Sequence, residues 1–312
     1  MKILLTAPPQ TGKSTVIESF IEKYQGAKRG ILAREMLDEN GSRIGFTSIN
    51  CQGQSRQFMS RVSGNGLGTY SGKTGSALKD QHEDNIEDNL GNKIVGNFAV
   101  DVAAIDTFVV PEILQSLEST DTLVYLDEIG RAQANSIDFI KAVRLLLEAE
   151  NSTLASIVFK DDPWSIEFKN HPAVCLLEVS ASNRNYLPAI LLKAFDQAKA
   201  FKQLRHEQQL LVYALLKQFL EADHFYSAQK LFSNALGYVV GNQIQLIKED
   251  TSISYYQVLG QSRSHQISFH RDNNNNNNSF ICDCDLANGR GDFVGAPQTC
   301  SHEMSIRIAN LL

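Results

Sequence analysis

The chain has 312 residues of which 43% are apolar, enough to bury one large core or two smaller ones, and the usual size of a domain favours two. A formal net charge of −6 supplies no overall electrostatic footprint for nucleic acid or an anionic membrane surface. No apolar run reaches the roughly eighteen residues of a membrane span, and five cysteines cannot all pair, so the expectation is a cytoplasmic protein in a reducing compartment with no membrane partner.

The first expected strand, residues 3–5, runs straight into Ala7-Pro8-Pro9-Gln10-Thr11-Gly12-Lys13-Ser14-Thr15, after which Val16, Ile17, Phe20 and Ile21 recur at helical spacing. Strand, loop and helix in that order are the grammar of a phosphate-binding loop. Successive backbone N–H groups cradle a β-phosphate, the helix N-terminus adds positive dipole, Lys13 neutralises β/γ charge and Ser14 ligates magnesium. Ala7 and Gln10 stand where glycine is usual, and Pro8 and Pro9 remove two backbone donors.

Residues 30–35 and 43–49 read as antiparallel strands turning at Asn40-Gly41. Residues 63–92 lose periodicity, with five glycines from Gly64 to Gly75 followed by an acidic run, and are expected to form a mobile surface insertion. Gly72-Lys73-Thr74 within it lacks the preceding strand that a second phosphate loop requires. Helices are then expected over 102–117, 136–147 and 186–198, alternating with strands over 123–126, 154–159 and 174–179. That alternation predicts an α/β fold with a mostly parallel sheet flanked by helices over residues 1–200, and a nucleotide at the carboxyl ends of the strands. At one such end stand Asp127 and Glu128. Asp127 is placed to hold magnesium and Glu128, beside the γ-phosphate, to act as general base.

This combination resembles the small P-loop nucleoside-triphosphatase family known from thermophiles and from a cancer-related animal form. The residues that carry the resemblance are the N-terminal loop, Gly30 to Glu35 with Arg43-Ile44-Gly45-Phe46, Val95 to Val100, Leu126-Asp127-Glu128-Ile129-Gly130-Arg131 and Ser182-Asn183-Arg184-Asn185, spread over residues 1–198. The resemblance implies Mg2+-dependent hydrolysis of a nucleoside triphosphate, ATP or GTP with broad base tolerance, to diphosphate and phosphate. It also implies that Arg131 stabilises phosphate charge and that Asn183 or Arg184 touches the nucleotide. Lys160-Asp161-Asp162 lies on the same strand edge and reads as a polar turn before Pro163 or as a phosphate sensor. A kinase of the same fold and a non-catalytic nucleotide-binding adaptor are the competing functions.

Beyond residue 200 the texture changes to a helical connector over 201–236 and a small α+β unit over 237–312, with helices expected over 206–221 and 227–236 and strands over 238–248, 252–259 and 265–270. Asn273 to Asn278 form an asparagine run, read as a solvated loop. Cys282-Asp283-Cys284 and Cys300-Ser301-His302 then offer three thiolates and an imidazole, a complete tetrahedral Zn2+ shell. Alternate residues project to one face of an extended strand, so each pair is expected to converge from such a segment. This spacing resembles the SWIM-type zinc finger, which implies a structural zinc and a protein or nucleic-acid partner. Five Lys/Arg against seven Asp/Glu over residues 241–312 tilt that choice towards protein. Of the remaining cysteines, Cys175 reads as a core residue and Cys51 has no metal partner in the sequence.

Overall fold

The computed structural model describes residues 1–62, 93–221, 234–235, 237–260, 264–270, 279–284 and 300–310. The expected insertion over 63–92, the helix over 227–236 in all but Asn234 and Ala235, and the asparagine run lie outside the described residues. The chain divides into two compact units, residues 1–184 and 185–312.

In the first unit, β1 (Lys2–Thr6) is buried along its whole length and pairs in parallel with both β8 (Thr153–Ile157) and β9 (Val174–Glu178). A strand with parallel neighbours on both sides and helices over both faces must be apolar throughout, which is why Ile3, Leu4 and Leu5 form an unbroken run. The sheet has nine strands in the order β5-β6-β4-β3-β2-β7-β8-β1-β9. Its parallel part is β2 (Lys28–Leu37), β7 (Leu123–Ile129), β8, β1 and β9. An antiparallel extension continues from β2 through β3 (Arg43–Asn50), β4 (Ser55–Arg61), β6 (Phe98–Val100) and β5 (Lys93–Val95). The expected turn between β2 and β3 is present, fixed by Asp38 Oδ1, which accepts from the backbone N–H groups of Asn40 and Ser42, and by Gly41 at φ 75°.

α1 (Lys13–Lys23) buries Val16, Ile17 and Phe20. The expected helix over 102–117 is α2 (Val102–Ala104), a π-helical turn (Ile105–Val109) and α3 (Val110–Ser116) in continuous succession. Pro111 has no N–H to return to the residue four back, and the wider turn absorbs the missing bond. α4 (Ile137–Glu148) is capped by Ser136, whose hydroxyl accepts from Phe139 N–H at 2.9 Å, and buries Phe139, Ala142, Val143, Leu146 and Leu147. α5 (Pro163–Lys169) is a short helix with a capping box between Asp162 and Ser165. Ile31, Phe58, Val100, Ile113, Val124 and Phe139 belong to one core between the sheet and these helices.

The second unit contains α6 (Leu187–Asp196), α7 (Ala198–Lys202), α8 (His206–Glu221) and a four-stranded antiparallel sheet, β10 (Ile244–Glu249), β11 (Ile253–Leu259), β12 (Ser264–His270) and β13 (Ser279–Cys282). α9 (Ser301–Asn310) packs on this sheet. Residues 237–240 are helical, so the strand expected from residue 238 begins only at Ile244. Tyr256, Val258, Ile267, Phe269 and Ile306 form a buried cluster on this sheet together with Cys282, Cys284 and Cys300. No described helix is long and apolar enough to cross a membrane.

Candidate active site and metal centre

β1 delivers the chain to Ala7, which is buried, while Pro8, Pro9 and Gln10 face outward. The loop closes through two left-handed positions, Gln10 at φ 63° and Gly12 at φ 109°. Gly12 is required twice over: its φ is strained for any L side chain, and a Cβ there would stand 3.3 Å from the Arg184 side chain. Thr11 Oγ1 donates to the Pro8 carbonyl at 2.8 Å, and Lys13 Nζ curls over the loop to the carbonyls of Ala7 at 2.8 Å and Pro8 at 3.3 Å. Burial lowers the Lys13 pKa, while the charges of Glu128 and Asp127 pull it back up. The lysine is thus coupled electrostatically to two carboxylates from the other half of the site.

Those carboxylates come from β7. The expected strand stops at Leu126, but the observed one continues to Ile129 with a break in its register to β8 between Leu126 and Ile129. Asp127 and Glu128 therefore occupy a β-bulge inside the strand, and Glu128 has φ 81°. The bulge is pinned from the neighbouring strand. Glu128 N–H donates to Ser156 Oγ at 2.8 Å, and the same hydroxyl donates to Asp127 Oδ1 at 2.9 Å. Asp127 is 2% exposed, and its other oxygen, Oδ2, is buried with no hydrogen-bonding partner. Burial pushes its pKa up against the pull of the Ser14 and Ser156 hydroxyls.

Glu128 is pushed up to about 7, first by burial and then by the Asp127 charge, with Lys13, Gln133 and Arg43 acting in the opposite sense. Gly130 makes room for it: a Cβ there would lie 2.8 Å from Glu128 Cγ and 2.9 Å from Gln133 Oε1. Ser156 and Gln133 were not visible as site residues in the sequence. A lone serine in an apolar strand carries no signal until strand order sets β8 beside β7, and Gln133 needs the turn after Gly130 to bring it back over Glu128.

The remaining expected contacts are distributed unevenly. Arg184 lies against the phosphate loop, its Nη1 at 3.4 Å from the Thr11 carbonyl. Asn183 is 6% exposed and spends both ends of its amide on its own turn, Oδ1 accepting from Ser180 N–H and Nδ2 donating to the Glu178 carbonyl, each at 2.8 Å. Arg131 closes a bidentate fork on Asp162, Nε to Oδ2 at 2.9 Å and Nη2 to Oδ1 at 3.0 Å. Its neighbour Asp161 pairs with Lys169 at 2.6 Å.

The donor set fits a hard divalent cation: an orphaned buried carboxylate oxygen of Asp127, with the Ser14 hydroxyl acting on the same carboxylate.

In the second unit, Cys282, Cys284, Cys300 and His302 are all buried, and their ligand atoms lie within 4.8 Å of one another. Cys282 Sγ is 3.8 Å from His302 Nδ1, close to the edge of about 3.5–3.8 Å that a tetrahedron of thiolates and imidazole makes around zinc. The second pair does not sit on a strand as expected. Cys300 immediately precedes α9 and His302 lies in its first turn, where the Glu303 N–H donates to Cys300 Sγ at 3.4 Å. His302 is flanked by two rings, His265 with centroids 3.9 Å apart and Tyr238 at 5.3 Å. His265 Nδ1 in turn meets Asp283 Oδ1 at 3.0 Å. Cys175 is fully buried in β9, as read; Cys51 is exposed, with Sγ 3.2 Å from Glu112 Oε1.

A phosphate loop after β1, an acidic bulge on β7 and one strand, β8, between them define a P-loop NTPase of the α/β class. A sequence model described as NTPase matches residues 2–192, and the chain belongs to that family. The nucleoside-triphosphatase THEP1 of Thermotoga sp. (strain RQ2) is 26% identical over 203 residues, which are 65% of this chain and all of that protein. The cancer-related nucleoside-triphosphatase homolog of Bos taurus is 26% identical over 194 residues, 59% of this chain and 91% of its own. The crystal structure of THEP1 from Aquifex aeolicus aligns with a TM-score of 0.49 at 22% identity, covering 62% of this chain and 98% of that one.

Proposed function

We propose that this chain is a Mg2+-dependent nucleoside triphosphatase that releases phosphate from ATP, GTP and related triphosphates, and that its second unit is a zinc-held module for a protein partner. The observation that carries the first part is the bulge on β7, which offers an orphaned Asp127 oxygen and a Glu128 carboxyl with a pKa of about 7 opposite Lys13. Names of the relatives support the same reaction.

Lys13 and the loop N–H groups hold the β- and γ-phosphates, and Ser14 with Asp127 would hold Mg2+, which supplies charge neutralisation across those phosphates. Arg184 stands at the loop and is assigned to nucleotide contact. Asn183 serves that assignment by shaping the turn that presents Arg184. Glu128 accepts a proton from a water whose oxygen attacks the γ-phosphorus as the bond to the β–γ bridging oxygen breaks. For Arg131 to add charge at the phosphates it must first leave Asp162. Hydrolysis without any added acceptor separates this reading from a kinase, and turnover separates it from an adaptor. Phosphate release over a panel of triphosphates, with and without Mg2+, tests it: Glu128→Gln is expected to abolish release while nucleotide binding persists, and undiminished turnover in that variant would reject the role given to Glu128.

For the second unit, the buried donor set of Cys282, Cys284, Cys300 and His302 supports one structural zinc with no open position. The mild excess of acidic side chains over 241–312 favours protein over nucleic acid as the partner.

A further inference from the structure

We propose that Arg43, carried on the β2–β3 hairpin, is the arginine that this chain itself supplies to the γ-phosphate in the transition state. The inference rests on the hydrolase reading above. It starts from a mismatch of lengths. β2 has ten residues but pairs with β7 only from Lys28 opposite Leu123 to Ile31 opposite Leu126. The two strands are parallel, so residues 32–37 run past the last residue paired with β7 towards the carboxyl edge, on which the phosphate loop and the Asp127–Glu128 bulge lie. Their described pairing beyond that point is to β3, through Leu37 opposite Arg43. β3 pairs in turn with β4 from Gly45 to Ile49, so among the described pairings only the tip of this ribbon, Leu37 opposite Arg43, is two-stranded, and it stands beyond that edge.

Residues that oppose one another across the ribbon share a face. Glu35 opposes Phe46, and Leu37 opposes Arg43, which sets Glu35, Phe46 and Arg43 on one face; Arg34 lies on the other and pairs with Glu18 of α1. The Arg43 guanidinium sits over the Phe46 ring at 5.1 Å and pairs with Glu35 through Nη2. That pose fixes the head group but leaves Nε buried with no hydrogen-bonding partner. A guanidinium held in place at the carboxyl edge of the sheet with one N–H still unsatisfied is the complement of an anionic oxygen. The positive charge of Arg43 also acts on Glu128. Arg131, the arginine that the family resemblance put forward for this task, instead has its fork closed on Asp162. Charge that develops on the γ-phosphoryl oxygens is what such an arginine stabilises, and ground-state nucleotide gains little from it.

The test measures phosphate release, nucleotide affinity and the affinity for Mg2+–ADP–aluminium fluoride in the full chain carrying Arg43→Ala, Arg43→Lys or Glu35→Gln. Arg43→Ala is expected to lower kcat by about 100- to 1000-fold, leave nucleotide Kd within about threefold and abolish aluminium-fluoride complex formation, with Arg43→Lys recovering part of the loss. Glu35→Gln breaks the resting ion pair yet keeps the guanidinium, so kcat is expected to hold. A kcat for Arg43→Ala within about threefold of the original chain overturns the inference, as does an equal loss in Glu35→Gln, which would make the pair merely structural. An original chain that releases no phosphate overturns the hydrolase reading itself, and the inference with it.

Discussion

In the proposed mechanism the protonation state of Glu128 governs turnover, and the same proton bears on stability. Its carboxyl sits at about 7 in the folded chain against 4.5 for the free side chain, raised by burial and by Asp127. As general base it must be ionised, so kcat/KM is expected to rise with pH through a midpoint near 7 and to flatten above it. The stability sign is opposite. Between pH 4.5 and 7 the folded chain holds a proton that the unfolded chain has lost, so folding free energy declines as pH rises, by up to about 3 kcal/mol once Glu128 is charged. Glu128→Gln removes that cost. Thermal melts should show the variant more stable than the original chain at pH 8 and equal to it near pH 4; no gain at pH 8 would mean that Glu128 is not strained by its charge.

Ser156 acts at the same scale through two bonds, one to Asp127 Oδ1 and one from the Glu128 N–H. It touches no reacting atom, so its role is positioning. Ser156→Ala frees the acidic bulge and leaves a buried oxygen unsatisfied, at about 1–3 kcal/mol. Turnover is expected to fall about 10- to 100-fold, the range seen when supporting partners of a metal ligand are removed. Nucleotide affinity without Mg2+ should be unchanged, whereas its Mg2+ dependence should shift to higher concentration. An unaltered Mg2+ titration would contradict the positioning role.

Among the elements, the junction of β2 with β7 is the most demanding, because it joins the antiparallel extension to the parallel sheet. Gly30 sits there with φ 154°, and a Cβ at that position would lie 1.7 Å from the Tyr125 carbonyl oxygen. That oxygen is backbone and cannot yield. Gly30→Ala must therefore part β2 from β7, and a loss of about 3 kcal/mol or more is expected in chemical denaturation. A midpoint unchanged from the original chain would refute the close approach.

At this element scale the sequence was informative where chemistry imposes a pattern. β1, the phosphate loop and α1 were legible because a buried parallel strand must be wholly apolar and the loop must end in Gly-Lys-Ser. The hairpin was legible through Asn40-Gly41. β4, β5, β6 and α5 were not, because short half-buried strands such as Lys93–Val95 lack enough residues to express a period, and α5 spans only seven. The bulge at Asp127 escaped too: alternation shows which residues lie on a strand, and a register break is created only by the partner strand. The Cys/His cluster was legible by type and order. Its local geometry was misjudged, since Cys300 and His302 use a helix N-terminus in place of an extended pair.

At the scale of the whole molecule, the two units are held by different chemistry. The first has an apolar core built of Ile113, Val124, Phe139, Phe168 and their neighbours, whereas the cluster on the four-stranded sheet of the second counts three cysteines among its eight buried residues. A metal that joins Cys282, Cys284 and Cys300 would tie β13 to the N-terminus of α9 and so add to the apolar packing of this cluster. Cys282 is pushed up by its bonds to Cys284 and Cys300, and Cys300 is pushed up to about 12, the pull of its bond to Cys282 being outweighed by the bond to Cys284 and by burial. Zinc binds thiolate, so it must displace the thiol protons, and affinity is expected to climb steeply as pH rises from 6 to 8. One zinc per chain is expected by metal analysis, and none in Cys282→Ser. In that variant, amide exchange should accelerate through β11 to β13 while phosphate release per chain stays near that of the original protein. A metal-free unit with fully protected strands would show that apolar packing alone suffices there.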